Sequence, residues 1–141
     1  VLFRSCEGMW SILQHDSPDD FVFATGEQHS VREFTERSFA RVGVDIEWQG
    51  AGENEVGIAA AVDETVAEER YGLNKIGISP GQTLVAVDPT YYRPTEVETL
   101  LGDAGKAERV LGWKATTKFD SLVDIMIDAD VALFRDKGQS A

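Results

Sequence analysis

Residues 91–113 read YYRPTEVETLLGDAGKAERVLGW. Arg93 precedes Pro94, and the ring of a proline pushes the residue before it into an extended conformation. Pro94 suits the first position of a helix, where its missing N–H would have no helical partner anyway. The stretch therefore reads as a strand ending, a sharp entry and a short helix with Glu96 in its first turn. A further short helix in GDAGKAERVLGW ends at Gly112. The arginine and carboxylate around the entry have two readings. One is a helix start with favourable charge; the other is a site for an anion that also carries hydroxyls.

Upstream, QTLVAVD (82–88) is a strand. VDIEWQG alternates apolar and polar residues and is a second strand, closed by a Gly-rich turn. Between them, residues 57–81 have a weak pattern, and AAAVDETVAEERYG fits a helix or a loop. Ser30 and Glu33 in SVRE make a capping box, Phe34, Phe39 and Val42 follow at helical spacing, and Gly43 closes that helix. FVFAT (21–25) is a continuous apolar run bounded by turn residues, as a buried strand would be, with Gly26 at its exit. Glu7 to Gln14 reads as a helix with Met9, Trp10, Ile12 and Leu13 on its apolar side, broken by DSPDD. Phe119 to Arg135 reads as a long helix whose apolar face is Leu122, Ile125, Met126, Ala129 and Leu133. The fold class is thus α/β, with two or three short strands and about four helices. An apolar surface near Met9 to Leu13 is expected to stay exposed.

The chain has 141 residues and 43 % hydrophobic residues, enough for one domain with a core. No apolar run reaches membrane-spanning length and no stretch reads as a signal peptide. A net charge of −12 argues against nucleic-acid binding, though a local arginine can still hold a small phosphate ligand. A single cysteine, Cys6, forms no internal disulfide, and two isolated histidines offer no metal site. The default compartment is the reducing cytoplasm. VLFRS (1–5) lacks a cap and does not continue into CEGMW. It back-translates as GTG CTC TTC CGA TCT, the end of a common sequencing adaptor, so residues 1–5 are expected to be non-native read-through.

There is no glycine-rich dinucleotide fingerprint between a strand and a helix, no Tyr-x-x-x-Lys pair and no Ser-His-Asp arrangement. No catalytic residue can be assigned. Ser30 and Glu33 are explained by capping. At least one of Tyr91 and Tyr92 is expected in the core, along with Trp48 and Trp113. Asp103 and Lys106 read as a local charge pair or helix start, and His15 and His29 as surface residues.

The order of elements, and the segments ATGEQHSVREF and YYRPTEVETLLGD in particular, resemble the C-terminal part of the GDP-mannose 4,6-dehydratase family. That family belongs to the extended short-chain dehydrogenase/reductase superfamily. The resemblance runs from about Glu7 to Val131; GDAGKAERVLGW is shared more widely by nucleotide-sugar epimerases, dehydratases and reductases. It implies that residues 6–141 are a substrate-binding lobe. It also implies that NADP, the catalytic Tyr and Lys and a nearby Thr and Glu belong to an upstream Rossmann domain. The implied reaction oxidises C4 of GDP-mannose, eliminates water across C5 and C6 and returns the hydride to C6, and the implied parent is a homo-oligomer. At matching positions, Arg93 would contact the diphosphate and Glu96 the ribose hydroxyls. A guanidinium fork pairs with phosphate oxygens, and a carboxylate accepts two bonds from a vicinal diol. The competing readings are a lobe of another nucleotide-sugar reductase or epimerase, and a non-enzymatic acidic interaction domain.

Overall fold

Capping side chains and left-handed glycines set most of the helix ends. The computed structural model describes residues 2–93 and 99–138. Its elements are α1 (Leu2–Leu13), α2 (Val31–Arg41), β1 (Val44–Gln49), a 3-10 turn (Gly52–Asn54), β2 (Val56–Val62), α3 (Glu64–Tyr71), β3 (Thr83–Ala86), α4 (Gly105–Leu111) and α5 (Phe119–Gly138). The architecture is mixed α/β. The chain divides into two compact units, residues 1–29 with 97–122 and residues 30–96 with 123–141.

In the second unit, Ser30 caps α2 by accepting from the Glu33 N–H at 3.0 Å. Gly43, at φ +85°, turns the chain out of the helix into β1. An added Cβ there would lie 2.2 Å from the Asp63 carbonyl oxygen, so the position tolerates nothing larger. The sheet is antiparallel in the order β1–β2–β3, with Trp48 opposite Gly57 and Gly57 opposite Val85. Along β1, Val44, Ile46 and Trp48 turn to the protected face while Asp45, Glu47 and Gln49 are solvated. β2 is the central strand, although its sequence, VGIAAAV, gives a weak strand pattern. Gly57 and Ala59 are its buried positions, and a Cβ on Gly57 would sit 3.1–3.3 Å from Ile46, Trp48 and Val85. Asp63 caps α3 through the Thr65 N–H, and Gly72 ends that helix in the left-handed region. Val44, Ala59, Ala67, Tyr71 and Val123 form the buried core.

Helix α5 contributes Val123 to that core. The face predicted from sequence, by contrast, leaves Ile125, Met126 and Leu133 exposed. The helix is instead fixed by polar contacts. Arg41 donates to Asp128 from Nε (3.0 Å) and Nη2 (2.8 Å), and the Tyr71 hydroxyl donates to the same carboxylate at 2.5 Å. Arg41 also approaches Asp124 at 3.2 Å, and Arg135 donates to the Tyr71 carbonyl. These donors hold the Asp128 carboxyl below the usual aspartate range, Arg41 first and Tyr71 second. Burial, then the carboxylate, pushes the Tyr71 phenol up.

In the first unit, α1 runs unbroken from Leu2, through the residues where the sequence pattern breaks. Arg4 pairs with Glu7 and donates to Thr116, and its carbonyl accepts from Trp113 Nε1. Met9, Trp10 and Leu13 are exposed, as expected. FVFAT is not a strand: no other strand pairs with it among the described residues, and Val22 is 52 % exposed. Phe23 packs on Trp113 (ring centroids 4.6 Å apart) and over Gly8, where an added Cβ would fall 2.8 Å from the ring. Lys106 pairs with Asp19 at 2.6 Å rather than with Asp103, which accepts from the Gly105 N–H. His29 stacks on Phe119, centroids 3.7 Å apart.

Candidate functional site

The chain leaves β3 at Ala86 and is held at once. The Val87 N–H reaches the Glu55 carbonyl, and Asp88 Oδ1 accepts from the Thr90 N–H at 2.9 Å. The Tyr91 and Tyr92 N–H groups both donate to the Asp88 carbonyl, at 3.0 and 3.1 Å. This Asx turn redirects the backbone so that residues 87, 88 and 90–93, with Val31, line one groove of about 610 Å³. That volume lies within the usual range of small-molecule sites, roughly 300–1,000 Å³.

Val31 is the first residue of α2, so the positive end of that helix dipole lies beside the groove. The same end of α2 is tied down by Arg32, which pairs with Glu55 and lies 5.2 Å above the Trp48 ring. Trp48 in turn donates from Nε1 to Glu36 at 2.7 Å. Arg93 lines the groove beside that helix end. Glu96, the second predicted site residue, lies outside the described residues, as does the helix entry at Pro94. Neither Tyr91 nor Tyr92 is in the core; they are 79 % and 40 % exposed. The turn explains this, since both tyrosines follow it, beyond the end of β3 at Ala86. Tyr92 closes one wall, because a Cβ on Gly52 would meet its hydroxyl at 3.3 Å. Val31 was missed from sequence. The capping box announces a helix start, but nothing in the pattern brings residue 31 beside residue 91.

A second cavity, of about 260 Å³ in the first unit, is lined by Asp103, Glu108, Lys114 and Lys118, among others. These charges are already engaged: Lys114 pairs with Glu108, Lys118 with Glu27, and Asp103 with a backbone N–H. Among the described residues no group of three His, Cys, Asp or Glu is placed to hold a metal, and no helix is long and apolar enough to cross a membrane. At the β2-to-α3 crossing the Asp63 carboxylate accepts from the Thr65 N–H, so that helix start offers no cradle for a cofactor's phosphates.

These features define a class first: a mixed α/β segment with an arginine-bearing cleft beside the end of its small antiparallel sheet. The chain belongs to the GDP-mannose 4,6 dehydratase family, whose model matches residues 4–126. It is 49 % identical over 129 residues to the GDP-mannose 4,6 dehydratase of Cricetulus griseus, covering 92 % of this chain and 30 % of that protein. The Homo sapiens enzyme gives the same identity and coverage. The Sinorhizobium fredii (strain HH103) enzyme is 44 % identical over 128 residues, 91 % of this chain and 31 % of that protein. The chain thus spans about 30 % of the length of the curated relatives it matches.

Proposed function

We propose that this chain is the substrate-binding lobe of an NADP-dependent GDP-mannose 4,6-dehydratase of the extended short-chain dehydrogenase/reductase type. The whole enzyme converts GDP-mannose to GDP-4-dehydro-6-deoxy-mannose and water. The observation that carries the reading is the groove in which Arg93 and the N-terminal end of α2 offer positive potential to one ligand. Arg93 binds the diphosphate through its guanidinium fork, and Glu96 accepts from the ribose hydroxyls. The chain's share of the work is to bind and orient; the reacting groups and NADP belong to the rest of the enzyme.

Steady-state kinetics on the full-length enzyme test this. The diphosphate is anionic in both ground and transition states, so losing Arg93 removes mainly uniform binding. Arg93→Ala should raise KM by on the order of ten- to a hundredfold and lower kcat less, as expected for a charge-assisted contact. Arg93→Lys should recover part of the loss, since the charge remains and the fork does not. The 141-residue chain alone should form no 4-keto product from GDP-mannose and NADP. An unchanged KM in folded Arg93→Ala protein would make the arginine structural and remove the basis of the proposal.

A further inference from the structure

We propose that Tyr91 is the platform on which the nucleobase of the bound nucleoside diphosphate stacks. The inference rests on the diphosphate reading of Arg93 above and adds a residue to it. Tyr91 is 79 % exposed and Val31, on the same groove, 82 %. Folding gives neither side chain a reason to be there, and large exposed apolar groups lining one cleft mark a binding surface.

The two tyrosines of the loop differ. Tyr92 forms a wall against Gly52. The Tyr91 ring has neither a hydrogen bond nor a ring contact with the described residues, while its backbone is fixed by its N–H bond to Asp88. A ring that no described residue engages, on a backbone that is held, is a preorganised stacking surface, and little entropy is lost when a flat ligand covers it. Two residues of extended chain span at most about 7 Å, so Tyr91 and Arg93 are within reach of one nucleotide. The remaining groove chemistry favours a base over a hexose. Val31 and Val87 cover apolar faces, and Asp88 Oδ1 is already engaged by the Thr90 N–H. A hexose would demand several directional partners, whereas a base needs its faces covered and leaves its edges solvated at the open groove.

The test is calorimetric titration of the full-length enzyme with GDP, and displacement of GDP by inorganic pyrophosphate. Tyr91→Ala should weaken GDP about five- to a hundredfold, and Tyr91→Phe should stay within about twofold of wild type, because stacking uses the ring and not the hydroxyl. Pyrophosphate should bind wild type and Tyr91→Ala equally well but Arg93→Ala more weakly. Unchanged GDP affinity in Tyr91→Ala overturns the stacking role and leaves the diphosphate reading standing. An equal loss of GDP and pyrophosphate in Tyr91→Ala also overturns it, since the residue would then shape the loop. If pyrophosphate fails to displace GDP, or Arg93→Ala binds both as wild type does, the diphosphate reading itself fails and the stacking proposal falls with it.

Discussion

Replacing Asp128 by alanine removes the acceptor shared by Arg41 and Tyr71. The two losses are unequal. Arg41 is partly solvated and keeps Asp124 at 3.2 Å, so its ion pair, screened by water, is worth only about 1 kcal/mol. The Tyr71 side chain is buried, and its hydroxyl loses a charged acceptor at 2.5 Å, a cost of about 1.5–3 kcal/mol. Asp128→Ala should therefore cost about 2.5–4 kcal/mol in a urea unfolding titration at pH 7. Asp128→Asn should cost roughly 1–2 kcal/mol, because an amide oxygen still accepts from Tyr71. In a double-mutant cycle with Arg41→Ala, the coupling should be about 1 kcal/mol. An Asp128→Ala protein within about 0.5 kcal/mol of wild type would refute the reasoning and place the carboxylate among neutral surface positions.

The pH dependence follows from the same group. Its folded-state carboxyl is held below the ordinary value, so its contribution is complete above about pH 4 and is lost as pH falls through the depressed value. Wild type should lose stability more steeply than Asp128→Asn below about pH 4 in acid titrations followed by circular dichroism. Gly43→Ala forces a left-handed alanine into the Asp63 carbonyl and should cost about 3 kcal/mol or more. Gly112→Ala, with the same backbone problem but open space around it, should cost only about 1–2 kcal/mol; equal losses by thermal melting would contradict the packing argument. Trp10→Glu on the exposed face of α1 should leave the isolated chain within about 0.5 kcal/mol of wild type but destabilise the full-length enzyme, as compared by urea titration.

Local punctuation was legible in the sequence. Ser30, Gly43 and Gly112 each act through the backbone of their own helix end, so their roles need no knowledge of the rest of the chain. β2 was hidden because its strand state comes from partners on both sides, and Gly57 and Ala59 reflect close packing rather than strand propensity. FVFAT failed in the opposite sense: the composition suits a strand, yet pairing requires a neighbour that the described chain does not supply. On α5, counting apolar residues chose the wrong face. Asp128 and its two donors orient the helix, and a carboxylate carries no weight in an apolar periodicity. Of the candidate site, Arg93 was singled out by the family resemblance, its place before a proline leaving a plain helix start equally open, and it lines the groove. Val31 joined it only through folding, which brings the start of α2 to the loop after β3.

The sheet joins strands that are consecutive in the chain, and that has a kinetic consequence. Residues 50–55 join β1 to β2, and residues 63–82, which include α3, join β2 to β3, so α2 and the three strands can collapse early through closures much shorter than the one that brings in Asp128. Asp128 must come from 87 residues beyond Arg41 to complete its contacts. Such a closure belongs late on the pathway, after the transition state has formed around the meander. Substitutions at Asp128 should then leave the refolding rate nearly unchanged and speed unfolding, whereas substitutions at Val44 or Gly57 should slow refolding. The carboxylate on α5 would in that case act as a latch: it sets how long the folded unit lasts, and the sheet sets how soon it forms.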